Sequence, residues 1–350
     1  MPSGDLLARI RRVTRSRWLA RGALLLAGST TVVVTLGFIW EHRARAAART
    51  AFPPPGQMID VEGGPLHLNC TGQGQPTVVL EAGASQPSVA WWPVQVGVAE
   101  FTRVCSYDRA GIGWSADAKG RPDPEGMVRR LRSTLSMAGV SPTFVMVGHS
   151  IGGPLAIIFG DLYPNDVVGY VFVDSADPDL FELSRVQPPE VPRIARVVVE
   201  AMTSLTAAVG FTRWQMGDIR KPDHWPDDVF EVAVAFAVQN STAGSRERAA
   251  ASQITRRAAA VETFGSRPVV VLTAESSLRN DGAPMAPQEW ERLRLEMQDA
   301  IARRSTNGTR RIVGDVGHNI HLDDPAATIR AIRDVVLAVR SGGDVPRDAR

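Results

Sequence analysis

The sequence predicts an α/β fold in which a mostly parallel sheet is flanked by helices, because short apolar runs alternate with amphipathic segments. Five runs are rich in β-branched residues and apolar at nearly every position, as is typical of strands buried on both faces. They are "TVVLEAG" (77–83), "TRVCSYD" (102–108), "TFVMVG" (143–148), "YVFVDS" (170–175) and "PVVVLTA" (268–274). A hairpin in "MIDVEGGPLHLNC" and a last strand at 310–313 bring the prediction to eight strands.

Helices are predicted between the strands, with ends marked by residues that stop helices. The predicted helices are 125–137 before Gly139, 153–163 before Pro164, and a final helix at 325–340. From about 178 to 264 the strand pattern is replaced by helical patches that contain Trp214 and Trp225. An insertion of this length is usually functional. We therefore predict a helical cap over the carboxyl ends of the strands, inserted after the sixth strand; the alternative is a small independent helical domain.

The amino terminus has the composition of a membrane anchor. Six arginines precede residues 22–40, which carry no charge over 19 residues, close to the roughly 20 needed to cross a bilayer as a helix. Only three arginines follow within residues 41–50, so the amino terminus is predicted to be cytoplasmic and the domain extracytoplasmic. One alternative is a cleaved signal peptide with "ARA" at 44–46 as the cleavage site and a secreted product. The other is a buried core helix.

These observations predict the organisation of the chain and exclude one class of partner. The predicted segments are a basic cytoplasmic segment (1–21), a transmembrane signal-anchor helix (22–40), a stem (41–57), the folded domain (58–340) and a flexible tail (341–350). Beyond residue 50 the chain has 30 basic and 35 acidic residues. A nucleic-acid-binding domain normally concentrates positive charge on its fold, so no nucleic-acid partner is expected.

Ser150 is the predicted nucleophile. It lies in "VMVGHSIGG" (145–153), at the centre of the pattern Gly148-x-Ser150-x-Gly152. An apolar strand runs into the serine and "IGGPLAIIFG" continues as a helix, which predicts a tight strand–serine–helix turn. Such a turn strains the serine backbone, so the glycines are needed to make room for the neighbouring strand and helix. It also exposes Oγ at the sheet edge, where the helix amino terminus faces a developing oxyanion.

A serine hydroxyl needs a base at neutral pH, and His318 is the predicted base. It follows the last strand in "VGDVGHNIHLDDP" and therefore emerges at the same sheet edge as Ser150. His321 is the alternative base. His149 adjoins the serine along the chain and is assigned a structural role. A metal site made of His318, His321 and Asp323 is another interpretation, although no further ligand clusters there.

Four motifs together resemble the α/β-hydrolase superfamily, in particular its serine esterase and lipase-like branch. They are "EAGAS" after the third strand, "YDRAGIGWS" after the fourth, "GHSIGG" after the fifth and "GHNIHLDDP" after the eighth. The likeness covers roughly residues 56–340 and implies the α/β-hydrolase fold, with an eight-stranded sheet and a cap. It assigns the oxyanion hole to the backbone N–H groups of Ala84 and Ile151. It also implies that Asp108 and Arg109 shape the loop in which they lie.

The resemblance leaves the catalytic acid open. Relatives often carry it after the seventh strand, where this chain has Ser277, and others carry it after the sixth, where "YVFVDSADPD" offers Asp174. Either position can serve if the carboxylate reaches the imidazole. Asp174 is the favoured acid and Glu275 the first alternative. The remaining alternatives are Asp177, Asp179 and Asp281.

The resemblance also implies a disulfide between the two cysteines of the chain. It places the second strand beside the fourth, and Cys70 ends the second while Cys105 lies within the fourth. Adjacent strands are roughly 5 Å apart, within reach of a disulfide. Such a bond suits an oxidising, extracytoplasmic compartment.

The predicted function is a serine hydrolase that cleaves carboxylic esters through an acyl-enzyme. Neither a metal nor an organic cofactor is expected. The expected partners are a small-molecule ester, with an apolar acyl group suggested by the apolar residues of the cap, and the membrane. The alternatives are an acyltransferase, thioesterase or peptidase with the same triad, or a non-catalytic binding protein. A serine at this turn argues against epoxide or haloalkane hydrolysis, for which the resemblance implies an aspartate there.

Overall fold

The computed structural model describes residues 4–117, 122–178, 192–217, 219–222, 225–278 and 285–347, and eight of their strands form one sheet. The strands are β1 (Gln57–Ile59), β2 (Leu66–Thr71), β3 (Thr77–Glu81), β4 (Val104–Tyr107), β5 (Phe144–His149), β6 (Val167–Val173), β7 (Val269–Ala274) and β8 (Gly308–Val313). Their order is β1-β2-β4-β3-β5-β6-β7-β8. Strand β2 is antiparallel to β1 and β4, and all other neighbours are parallel. The predicted sheet is confirmed.

The helices of the described chain cover both faces of this sheet, form the cap and include a long amino-terminal helix. They are α1 (Gly4–Ala51), α2 (Trp92–Ala99), α3 (Pro124–Met137), α4 (Gly152–Leu162), α5 (Arg193–Ala208), α6 (Phe211–Gln215), α7 (Asp227–Ala235), α8 (Ala237–Ala259), α9 (Glu275–Leu278), α10 (Pro287–Arg303), α11 (Ile320–Asp323) and α12 (Pro325–Ser341). Helices α3, α4, α8 and α10 contribute to the core on one face, through residues such as Leu131, Phe159, Ile254 and Ile301. Helices α2 and α12 fill the other face.

The strands at the centre of the sheet are buried on both faces because helices cover both sides. Every residue of β3, β5 and β7 is buried, which is why these strands read as continuous apolar runs in the sequence. Helices α3, α4 and α12 begin and end within one residue of the predicted bounds. Asp123 and Asp324 accept hydrogen bonds from backbone N–H groups of the first turns of α3 and α12, so side-chain caps define where these helices start.

A helical cap is inserted between β6 and β7, as predicted. The described residues of 178–264 form α5 to α8 and contain no strand. Val232 and Phe236, at the end of α7 and just after it, pack against Val89 and Trp114, which lie in loops that follow β3 and β4. The cap therefore covers the carboxyl ends of these two strands.

Helix α1 carries the apolar amino-terminal segment. By length and composition, Arg21–Ala51 could cross a membrane, and the apolar window of this segment is not buried against the described chain. The helix continues past the predicted span and ends at Ala51, so the first part of the predicted stem is helical. Helix α1 ends two residues before prolines 53–55. Proline disfavours helical backbone in the residue before it and lacks the N–H group that a helix needs.

Cys70 and Cys105 are joined in a disulfide, and the described chain has no free cysteine. The two residues lie directly opposite each other in the antiparallel pair of β2 and β4. The bond closes a loop with a sequence separation of 35 and ties the amino-terminal hairpin to the parallel part of the sheet.

Replacing both cysteines by alanine is expected to lower the free energy of unfolding by about 3–4 kcal/mol, because the closed loop restricts the unfolded chain. Chemical unfolding of wild type and double variant, followed by circular dichroism, measures this difference. Two reactive thiols in freshly purified wild type under non-reducing mass mapping, or equal unfolding midpoints, would contradict the prediction.

Candidate active site

Ser150 occupies a strained turn between β5 and α4. Its φ is +51°, in the left-handed region that side-chain-bearing residues rarely adopt. A Cβ atom at Gly148 would lie 2.6 Å from backbone atoms of Gly152 and Gly153, and one at Gly152 would lie 2.3 Å from the carbonyl oxygen of Glu81. The pattern of glycines around the serine is therefore required by close backbone contacts, as expected from the sequence.

The turn is fixed by its neighbour β6. The Ser150 N–H group donates to the Val173 carbonyl at 3.3 Å, and the Ser150 carbonyl accepts from the N–H groups of Gly153 and Ala176 at 3.0 and 2.9 Å. Backbone strain of this kind persists only where surrounding contacts hold it. These three hydrogen bonds hold the serine at the carboxyl end of β5.

His318 and Asp174 form a hydrogen-bonded pair beside this turn. Nδ1 of His318 lies 2.6 Å from Oδ2 of Asp174. Ser150, His318 and Asp174 line one cleft of about 440 Å³, which also includes Trp290 and Arg294. In the described chain no hydrogen bond joins Ser150 Oγ to His318; catalytic hydrogen bonds often tighten only when substrate binds. The three residues predicted as nucleophile, base and acid thus meet in one place.

Asp174 is a buried carboxylate with several donors. It directly follows β6, and Oδ1 accepts from the Ala274 N–H and from Arg294, both at 3.2 Å. Oδ2 accepts from Ser277 Oγ at 2.6 Å in addition to His318. Burial by itself raises the pKa of Asp174, but the hydrogen bond with His318, the charge of Arg294 and the Ser277 hydroxyl outweigh burial and lower that pKa. The carboxylate is therefore ionised and able to stabilise an imidazolium.

Sequence reasoning did not anticipate the two side chains that support this carboxylate. Ser277 stands where relatives often carry the acid, and its hydroxyl donates to the acid that β6 provides. Arg294 reaches Asp174 from α10, and no local sequence pattern marks it. Helix α9 begins at Glu275, the first alternative acid, and this residue accepts from the Asp315 N–H at 3.4 Å. Asp177 is buried, and Asp179 and Asp281 lie outside the described residues.

The two predicted oxyanion donors lie at the ends of neighbouring strands. Ala84 follows β3 and Ile151 precedes α4, and β3 and β5 pair in parallel up to Glu81 and Gly148. Among the described residues, neither N–H group donates a hydrogen bond. Both groups are thus available to a ligand at this edge of the sheet.

The loop that carries Ala84 is stabilised by the side chain of Arg109. This buried guanidinium donates to the carbonyl oxygens of Ala82 and Gly83 at 2.7 and 2.8 Å. It also pairs with the carboxylates of Glu81 at 2.7 Å and Glu247 at 2.6 Å. The Arg109 side chain therefore shapes the loop after β3.

Cap helix α8 also stabilises this loop, through contacts with Ser85. Glu247 accepts from the Ser85 N–H at 3.2 Å, and Arg248 donates to Ser85 Oγ at 2.7 Å. A Cβ atom at Gly244 would lie 1.6 Å from Ser85 Oγ, so the helix backbone packs directly on this residue. Ser85 has a φ of +67°, a strained conformation that these contacts stabilise. Sequence reasoning missed Glu247, since nothing links it to the loop before the chain folds.

Beside the cleft, three histidine rings pack against one another at tilted angles. The centroids of His149 and His318 are 4.7 Å apart, those of His149 and His321 are 4.4 Å apart, and Trp91 packs on His321 at 4.4 Å. Nε2 of His149 lies 2.9 Å from the His318 carbonyl oxygen, which supports the structural role expected for His149. His321 is fully buried, and neither of its ring nitrogens has a hydrogen-bond partner in the described chain.

Metal binding has no support in the described part of the chain. No group of three or more histidine, cysteine, aspartate or glutamate side chains there could hold an ion. The residues of the metal interpretation do not converge, since His318 pairs with Asp174 while Asp323 accepts from the Gly317 N–H at 2.7 Å.

The two buried histidines predict loss of stability in acid. Burial, and then the neighbouring charge of His318, lowers the pKa of His321 to about 3, and burial also lowers the pKa of His149 well below its usual value. Below about pH 6.5 the unfolded chain takes up protons that the folded chain does not, so the free energy of unfolding falls by about 1.4 kcal/mol per pH unit for each such histidine.

His321→Leu is expected to reduce that slope by about 1.4 kcal/mol per pH unit between pH 6.5 and 4.5. Urea unfolding at several pH values measures the slope, and His42→Ala, at an exposed histidine outside this cluster, serves as the control. A slope that does not change in His321→Leu would show that this ring is already protonated in the folded protein.

Comparisons with known proteins agree with this architecture. A profile of the alpha/beta hydrolase family matches residues 78–331. YqjL of Bacillus subtilis (strain 168) is 31% identical over 105 residues, which are 30% of this chain and 42% of YqjL, so less than half of that relative is matched. A probable hydrolytic enzyme from Pseudomonas aeruginosa PAO1 has a similar structure, with a TM-score of 0.60, 20% identity and coverage of 81% of this chain and 95% of the other.

A thermophilic esterase from Thermogutta terrifontis also has this fold, with a TM-score of 0.56, 19% identity and coverage of 81% of this chain and 99% of the esterase. At these identities the structural likeness concerns the fold. The family profile, by contrast, extends from β3 into α12 and therefore includes both the serine turn and the histidine loop. The chain belongs to the alpha/beta hydrolase family.

Proposed function

We propose that the protein is a serine hydrolase that cleaves carboxylic esters through an acyl-enzyme. The observation that carries this proposal is the pairing of His318 with a buried, ionised Asp174 in the cleft that contains Ser150. A serine becomes a nucleophile when an adjacent base is itself oriented by a third group. An esterase among proteins of the same fold is consistent with this chemistry.

We assign a role to each residue of this group. Asp174 accepts from Nδ1 of His318 and so favours the tautomer in which Nε2 is free to accept a proton. In the proposed reaction, Ser150 Oγ attacks the ester carbonyl while Nε2 takes the serine proton. The protonated imidazole then gives this proton to the leaving alcohol. Water, deprotonated by the same nitrogen, attacks the acyl-enzyme, and Ser150 recovers its proton as the carboxylic acid leaves.

The negative charge that develops on the carbonyl oxygen needs fixed donors. We assign this role to the N–H groups of Ala84 and Ile151, and the second of these lies at the amino terminus of α4, where the helix dipole is positive. Each such donor is typically worth about 10²–10³-fold in rate. The position of the loop that carries Ala84 should therefore affect kcat more than substrate affinity.

We further propose that α1 anchors the enzyme in a membrane through residues 22–40, with the amino terminus in the cytoplasm. This proposal rests on the apolar composition of the helix and on the six arginines that precede the apolar stretch. The disulfide between Cys70 and Cys105 is consistent with a domain on the oxidising side.

Ser150→Ala is expected to abolish labelling by a fluorophosphonate probe and to reduce hydrolysis of p-nitrophenyl esters by about 10⁴-fold or more. Asp174→Asn should reduce kcat by about 10³–10⁴-fold, because the imidazole loses its orienting partner. Ser276→Ala, which changes another serine of the cleft, is the matched control. Equal labelling of wild type and Ser150→Ala would refute the proposal. Full activity of Asp174→Asn together with loss in Glu275→Gln would reassign the acid.

Glu247→Ala is expected to lower kcat by about 10–100-fold with little change in KM, because the loop of Ala84 loses its support from α8. Glu247→Gln, which keeps an acceptor for the Ser85 N–H, should restore part of the loss. Gly244→Ala should also lower kcat, because the added methyl group displaces Ser85 without any change of charge. The rates of ester hydrolysis and of fluorophosphonate labelling measure both effects.

The control for this series is Arg246→Gln, because Arg246 is the neighbour of Glu247 on α8 and pairs with Asp117 at the surface instead. Wild-type kcat in both Glu247→Ala and Gly244→Ala would show that the cap helix does not position the loop. A loss in Arg246→Gln as large as that in Glu247→Ala would point to general damage to α8.

A further inference from the structure

We propose that the exposed apolar face of cap helices α5 and α6 lies in the surface of the lipid bilayer beside α1, so that the cap is a second membrane-binding element. This inference rests on the proposed anchoring through α1. The surface, which we call the cap apolar surface, consists of exposed residues of α5 and α6 together with Ile219, which follows α6: Val198, Met202, Leu205, Phe211, Trp214 and Ile219. All six side chains are exposed.

The cap apolar surface consists of groups of neighbouring residues rather than a scatter of single residues. Val198, Met202 and Leu205 recur at the spacing that places residues on one face of a helix. Phe211 and Trp214 pack against each other with ring centroids 5.6 Å apart, and Trp214 remains 70% exposed. Large contiguous apolar surfaces on a folded domain mark sites of interaction with proteins or membranes.

Contacts between the cap and α1 favour a lipid bilayer as the partner of this surface. The turn between α5 and α6 touches α1 so closely that a Cβ atom at Gly37 would lie 2.3 Å from the Val209 carbonyl oxygen, and one at Gly210 would lie 2.6 Å from the Trp40 ring. Gly37 and Trp40 belong to the end of the uncharged stretch of α1. The turn that joins the two helices of the cap apolar surface therefore lies against the end of the proposed membrane span.

Polar contacts mark the same boundary. Glu41, the first charged residue after the uncharged stretch, is buried and accepts from Arg213 of α6 at 2.7 Å. Arg213 stands between Phe211 and Trp214 in the sequence but turns towards α1, while the two aromatic rings stay exposed. Tryptophan is enriched at membrane–water interfaces, and Trp40 and Trp214 are both exposed at this end of the span. The helices that carry the cap apolar surface are thus held against the end of the stretch that the proposed bilayer contains.

Fluorescent labelling of single cysteines in the full chain tests this inference, since the two native cysteines are bonded to each other. Trp214→Cys and Met202→Cys, labelled with the polarity-sensitive dye NBD, are reconstituted into phosphatidylcholine–phosphatidylglycerol vesicles. Met137→Cys, at an exposed apolar residue of α3, is the matched control at 61% exposure. Leu26→Cys, within the uncharged stretch of α1, reports on the anchor.

We expect blue-shifted emission at positions 214 and 202, with several-fold stronger quenching by a lipid-bound quencher than at position 137, and quenching by iodide at position 137 only. Lipid quenching at position 26 with iodide quenching at 214 and 202 would overturn the inference and leave the anchor intact. Iodide quenching at position 26 would instead refute the anchor. Protection of 214 and 202 from both quenchers would show that protein covers the surface, which also overturns the inference.

Discussion

A buried negative charge at Asp174 is the constraint on which the catalytic end of the sheet depends. An ionised carboxylate inside a protein costs several kcal/mol unless donors surround it. The donors come from four separate segments: the Ala274 N–H from β7, Ser277 from α9, Arg294 from α10 and His318 from the loop after β8. The carboxylate therefore forms its full set of contacts only when these segments are assembled. The same contacts that satisfy the charge also orient the imidazole.

Backbone strain is the second feature of the carboxyl edge of the sheet. Ser150, Asp174 and Ser85 have positive φ values although none is glycine, and all three follow strands of the parallel part of the sheet. Each is held by neighbours that are distant in sequence: β6 for Ser150, β7 for Asp174 and α8 for Ser85. The cap is thus more than a cover, because its helix α8 contributes to the shape of the loop that carries a proposed oxyanion donor. A movement of α8 would be transmitted to that loop.

The arrangement of α1 and the cap extends this coupling towards the membrane. Arg49 of α1 contacts Gln239 of α8 at 3.4 Å, and Gln239 in turn donates to the Gly113 carbonyl in the loop after β4. Glu41 joins α1 to α6 through Arg213. The proposed anchor and the proposed active site are therefore connected through the cap helices. Under the proposed function, an ester that partitions into lipid would reach the active site from the bilayer surface at which we place the cap.

The sequence by itself determined the succession of strands and helices along the chain and the position of the cap insertion. It also identified the two candidate residues Ser150 and His318. Central strands are buried on both faces, so they read as continuous apolar runs, and Ser150 directly follows such a run in β5. His318 lies in a local motif in the loop after the edge strand β8. Only the tertiary structure decided which carboxylate faces His318, and it showed Ser277 donating to Asp174 from the position where an acid was expected. It alone revealed Arg294 and Glu247. Their hydrogen bonds join residues more than 100 positions apart, at sequence separations of 120 and 162, and leave no local pattern from which to predict them.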